Sequence, residues 1–73
     1  MSEKEEQIAL DPILKYFAYE HLKSGILRDT SAQFSDLAFR LVKHLPRAPE
    51  RTVALRKLLE AKDAAVRTAL DAL

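Results

Sequence analysis

Two prolines in the stretch LPRAP, residues 45–49, divide this chain into helical segments more firmly than any other feature in it. Proline offers no amide hydrogen and its ring collides with the preceding turn, so a helix arriving at Pro46 ends there. In a first turn the missing donor is not needed and the fixed φ favours a new start, so another helix begins at Pro49. Upstream, Phe34, Leu37, Ala38, Leu41, Val42 and Leu45 recur at the helical period, and Thr30 with Gln33 spells a capping box. That pattern predicts a helix opening near Thr30. Downstream, residues 49–73 contain no further proline and no glycine, and read as one long helix. No segment alternates with a period of two. The fold class is therefore all-α, with the two long segments folding back as an antiparallel helical hairpin.

The N-terminal side reads less regularly. Residues 1–10 form a flexible acidic N-terminus in this reading, with Glu3, Glu5 and Glu6 set against Lys4 and no apolar residue between Met1 and Ile8. Asp11 and Pro12 then have the form of a helix cap and first turn, and Ile13, Leu14, Phe17, Ala18 and Leu22 follow at helical spacing. These residues predict a short first helix. KSGILRD, which holds Gly25, is expected to be a loop before the hairpin. Residues 11–73 are expected to make a single helical domain.

A chain of 73 residues sits where one hydrophobic core contributes only about 3–5 kcal/mol. There is no cysteine for a disulfide, and His21 and His44 have no ligand-like spacing, so neither a metal nor a cofactor is expected. Self-association is the remaining way to add buried surface, and the last helix supports it. Leu55, Leu59, Val66, Leu70 and Leu73 make one stripe for the hairpin partner, while Ala54, Leu58, Ala61, Ala65, Ala69 and Ala72 make a second. Small residues in a row let another backbone approach closely, so the second stripe points to a neighbouring subunit, or else to the short first helix. Lys62 interrupts the leucine stripe. It either buries its stem and carries its ammonium to water, or supplies a cation at a subunit junction.

Positive charge gathers around the turn, where Lys43, Arg47, Arg51, Arg56 and Lys57 face Glu50 alone. The first amides of a helix lack internal partners and share the positive end of its dipole, so an anion is favoured there. Pro49 opens that turn, Arg51 and Thr52 lie in it, Arg47 precedes it and Arg56 follows. Together they offer guanidinium forks and a hydroxyl suited to phosphate oxygens. Tyr19 and His21, in YFAYEHL, offer a flat surface and hydrogen-bonding groups to a base. The candidate ligand-binding residues are therefore Tyr19, His21, Arg47, Pro49, Arg51, Thr52 and Arg56.

Three short patterns carry a resemblance: F-x-Y-x-H-L at 17–22, the helix ending LP at 45–46, and P-E-R-T-x-A-L-x-K-L-x-E-A from Pro49 to Ala61. The chain resembles the small phage-encoded sponge proteins that counter CBASS, the bacterial cyclic-oligonucleotide-based antiphage signalling system. The resemblance implies a compact helical hexamer that sequesters cyclic dinucleotides and cyclic trinucleotides without degrading them, in pockets between subunits, in the cytoplasm of the infected bacterial host. Tyr19 then matches the family's N-terminal aromatic, and Arg51 with Thr52 its basic and hydroxyl pair.

Other classes have less in the sequence to support them. No nucleophile stands beside a histidine and an orienting acid in a known spacing, and there is no glycine-rich phosphate loop, so an enzyme is not expected. The charged start and the lack of a long apolar run argue against a membrane partner. A small helix-turn-helix regulator is the main alternative, with Arg51, Thr52 and Arg56 reaching bases, although a turn with two prolines and a largely apolar reading helix make duplex nucleic acid a poor match. A structural or adaptor oligomer without a small ligand is the other.

Overall fold

The computed structural model describes residues 2–23 and 25–73, and the described residues form helices and turns only. Helix α1 spans Glu3–Leu10, a 3-10 helix spans Pro12–Phe17, α2 spans Gly25–His44 and α3 spans Pro49–Asp71. No helix among the described residues is long and apolar enough to cross a membrane.

Helix α1 occupies most of the stretch expected to be a flexible start. Its signal is SEKE: the Ser2 hydroxyl accepts from the Glu5 amide at 3.2 Å, and the acidic residues Glu3, Glu5 and Glu6 fill the first turn, where the helix dipole favours them. It ends at Asp11, whose non-helical backbone (φ −132, ψ 83) fits the steric exclusion of the helical conformation before a proline. None of its residues is buried, and it is tied down by exposed contacts, Lys43 to Glu3 and Lys4 to Glu20.

The helix expected from Asp11 to Leu22 is only the tighter 3-10 turn, and Ala18 leaves it in an extended conformation. Three residues per turn bring Leu14 and Phe17 onto one side, and both are fully buried. They meet Ala38 of α2 and Leu55 of α3, and Ile8, Ile13, Phe34, Phe39, Leu41, Val42, Leu58 and Leu59 pack around this small core.

Helix α2 starts at Gly25, so the GILRD part of the predicted loop KSGILRD opens it, while Lys23 stays outside the helix and Ser24 lies outside the described residues. The expected capping box does not form. Thr30 lies within the helix, and the Gln33 side chain donates instead to the Asp29 carbonyl one turn back, at 3.3 Å. The breaks at the prolines fall where predicted: α2 ends at His44 and α3 begins at Pro49, and α2 and α3 make the most extensive contact in the molecule.

Along α3 the leucine stripe covers the core over only part of its length. Leu55 is buried and Leu59 and Val66 are half-buried, but Leu70 is 51% and Leu73 72% exposed. The alanine stripe is mixed as well, with Ala54 and Ala61 outward, Ala65 half-buried and Ala69 buried. Leu10, Tyr16, Ile26, Leu37, Leu45 and Val53 are also exposed. The accessible surface is 5022 Å², against about 4,600 Å² for a typical monomer of this mass.

Candidate functional site

The start of α3 is where sequence reasoning concentrated the chemistry, and its two leading arginines turn out to serve the fold. Arg51 is 8% exposed. One nitrogen of its guanidinium donates to the carbonyls of Val42 and Leu45 at 3.1 and 3.4 Å, and the other to the Asp11 carboxylate at 2.7 Å. The carbonyls of a last helical turn have no internal donors, so a planar fork that reaches two of them and a carboxylate satisfies three acceptors at once. Arg47 repeats this for α1, donating to the Leu10 carbonyl at 2.6 Å and lying 3.7 Å from Asp11. Within one chain Arg51 thus spends its donors on the end of α2 and on Asp11, whereas Arg47, 63% exposed, keeps donors toward solvent. Pro49, Thr52 and Arg56 are exposed, and Ala48 caps the helix with no side-chain bond.

Tyr19 is likewise engaged. Its half-buried ring has the Lys4 ammonium 5.4 Å and the Arg28 guanidinium 5.7 Å from its centroid, and Lys4 also stands 5.2 Å from the Phe39 ring. Cations over an aromatic face occupy the surface on which a base would stack. The neighbouring Glu20 carboxylate is held below its ordinary pKa, first by its own backbone amide, with desolvation opposing, and then by the Tyr19 amide, at 3.1 Å, and Lys4.

Of the predicted residues, Arg51 borders a small apolar hollow and His21 opens onto a larger cavity. This space, about 500 Å³, lies between the 3-10 helix, residues 18–22, α2 and the C-terminal half of α3, and is lined by Lys15, Tyr16, Ala18, His21, Leu22, Ser31, Lys62, Asp63, Val66 and Arg67. Lys15, Lys62 and Arg67 share the lining with one carboxylate, Asp63, and with Tyr16, which is 56% exposed and has the Lys15 ammonium 5.1 Å from its ring centroid, as Lys4 stands to Tyr19. Lys62 donates to the Tyr16 carbonyl at 2.7 Å, at the end of the 3-10 helix, so within the chain its half-buried stem carries the ammonium to an orphan acceptor. Ser31 is fully buried and its hydroxyl has no hydrogen-bond partner among the described residues.

The structure thus separates the predicted residues into two groups. Along α3, residues 51 and 63 stand about 18 Å apart at 1.5 Å per residue, so His21 does not share a site with Arg51 in one chain. The cavity residues that sequence reasoning did not select were visible in part. Lys62 stood out as a cation in an apolar stripe and Tyr16 flanked Phe17, but Arg67 reads as a solvent-face partner for Asp63, and a serine inside a helix gives no signal.

The lining offers cations for anionic oxygens, and an aromatic ring and an imidazole for a base. A smaller hollow of about 250 Å³, bounded by Leu45, Pro46, Ala48, Glu50, Arg51 and Ala54, presents an almost wholly apolar surface. Compared with family models, characterised proteins and solved structures, the chain matches none, and its function is read from this geometry and from the sequence patterns.

Proposed function

We propose that this chain is a non-catalytic binder that sequesters cyclic dinucleotides, cyclic trinucleotides or both, acting as a self-associated assembly of antiparallel helical hairpins. The observation that carries the reading is the cavity in which Lys15, Lys62, Arg67 and His21 converge beside an exposed Tyr16 with a single opposing carboxylate. A cyclic oligonucleotide presents one negative charge per nucleotide and a base beside each, which is the complement of that lining. Self-association is supported by the surplus surface and by Leu45, Val53, Leu70 and Leu73, which one chain leaves in water. A hexamer, as the resemblance implies, would repeat each exposed Thr52 and Arg56 around subunit junctions and give inter-subunit pockets with the symmetry of a ring ligand. In the cytoplasm of an infected bacterium, such a binder would lower the free messenger and so counter antiphage signalling.

A helix-turn-helix regulator needs Arg51 at a base edge, whereas its hydrogen bonds to Val42, Leu45 and Asp11 keep it inside. The test is native mass spectrometry of the purified chain with and without a panel of cyclic di- and trinucleotides, backed by calorimetry at fixed salt. The expected result is an oligomer that gains ligand mass in whole-number steps. A folded single chain that ignores every member of the panel would overturn the reading.

A further inference from the structure

We infer that the outer face of α2 is the seat of a second copy of this chain, packed antiparallel across a two-fold axis beside Leu37. The inference rests on the self-association in the reading above and names the surface that makes it.

A surface helix needs one apolar stripe, and α2 carries two. The inner one, Ser31, Ser35 and Ala38, is buried within the chain. The outer one runs through Ile26, Phe34, Leu37, Leu41 and Leu45, and the chain covers only its edge. Phe34 and Leu41 lean on the core, while Ile26, Leu37 and Leu45 stay 41, 38 and 37% exposed. Along it, Thr30, Phe34, Leu37, Leu41 and His44 are spaced 4, 3, 4 and 3, the spacing of a coiled-coil seam.

In the middle of this seam lies a notch of about 420 Å³, lined by Gln33, Phe34, Asp36, Leu37 and Arg40. All of these belong to α2, so the notch has no second wall. Residues 33, 36, 37 and 40 stand at i, i+3, i+4 and i+7, the four positions that frame a hole for one side chain of a facing helix. The notch is therefore shaped for a knob from another helix.

Charge says which helix. One edge of the seam carries Asp29 and Asp36 in its first half and Arg40 and Lys43 in its second, with Lys43 shared with Glu3 and Arg28 turned away to the Tyr19 ring. In an antiparallel pair this edge meets the same edge of the other copy with its ends exchanged, so acids meet cations twice over. A parallel copy would set it against the opposite edge, Ser31, Ala38 and Leu45, which has no charge. With the axis beside Leu37, each Leu37 enters the notch of the other copy, and Asp36 comes within reach of Arg40 of the second copy. Both groups are available: neither has an ion pair among the described residues, and Arg40 donates only to the Asp36 carbonyl, at 3.3 Å.

The test is sedimentation velocity and native mass spectrometry on the full chain without ligand. Leu37→Lys, at an exposed position, should keep the helical circular dichroism spectrum and weaken the α2 contact about a hundredfold, since it sets two ammonium groups against each other at the axis. Asp36→Arg and Arg40→Asp should each weaken self-association about tenfold, because each creates two like-charged pairs. An equimolar mixture of these two variants should assemble one to one, since both ion pairs re-form only between unlike chains. A role confined to one chain would gain nothing from mixing. Self-association unchanged in Leu37→Lys, or a mixture no more assembled than its parts, would overturn the inference and leave the cyclic-nucleotide reading standing. A parent that stays single at millimolar concentration would overturn it too, and a single chain that also ignores the cyclic panel would overturn both.

Discussion

Replacing Arg51 by alanine separates a structural arginine from a ligand-binding one, and the structure sets the size of the effect. The side chain is 7% exposed and its loss strips donors from Val42 and Leu45 and leaves Asp11, 13% exposed, without its 2.7 Å partner. Breaking a buried pair from one side costs about 3–5 kcal/mol. Arg47 stays 3.7 Å from Asp11 and softens the loss, which places the expected cost near the lower end, about 3 kcal/mol. For a domain of this size that corresponds to a fall in Tm of roughly 12–24 °C. Thermal and urea unfolding followed by circular dichroism measure it. Arg51→Met, which keeps the apolar stem, should recover part of the loss, and Asp11→Asn combined with Arg51→Met should lose less than the two single changes added together, because the second change removes the charge the first left unpaired. An Arg51→Ala protein that melts within about 3 °C of the parent yet no longer binds cyclic nucleotides would refute the reasoning and return Arg51 to the ligand.

Two other perturbations test separate parts of the fold. Gly25 opens α2 with open space where a Cβ would stand, so Gly25→Ala should stabilise by about 0.4–1 kcal/mol in urea titration, chiefly by restricting the unfolded chain. Glu20 has a folded pKa below its ordinary value, so its contribution is present above the unfolded value and is lost as pH falls through the folded one; Tm should therefore decline on the acid side of that window, and Glu20→Gln should flatten that part of the profile. Because Glu20 and Lys4 are both well exposed, the effect should be small and should shrink at high salt.

Much of the architecture was legible in the sequence because it depends on local chemistry. Pro46 and Pro49 break and restart a helix whatever surrounds them, and the repeat from Phe34 to Leu45 identifies a helix from its spacing alone. The start of α2 was read too late because a lone glycine in a first turn looks like a breaker, and Thr30 with Gln33 spells a cap that the continuing helix overrides. Helix α1 was missed since acidity masked a working cap at Ser2.

The candidate site was much less legible. Sequence determined that arginines would crowd the start of α3, but a guanidinium serves a phosphate and an orphan helix carbonyl equally well, and only the approach of Asp11 and the end of α2 decided that Arg51 points inward. In the same way, Ser31 and Arg67 are unremarkable in the chain, Lys62 is conspicuous there without a stated role, and the three become a lining only when α2, α3 and the 3-10 helix come together. Backbone breaks are set by neighbouring residues, whereas the partner of a long charged side chain is set by whichever distant group folding delivers to it.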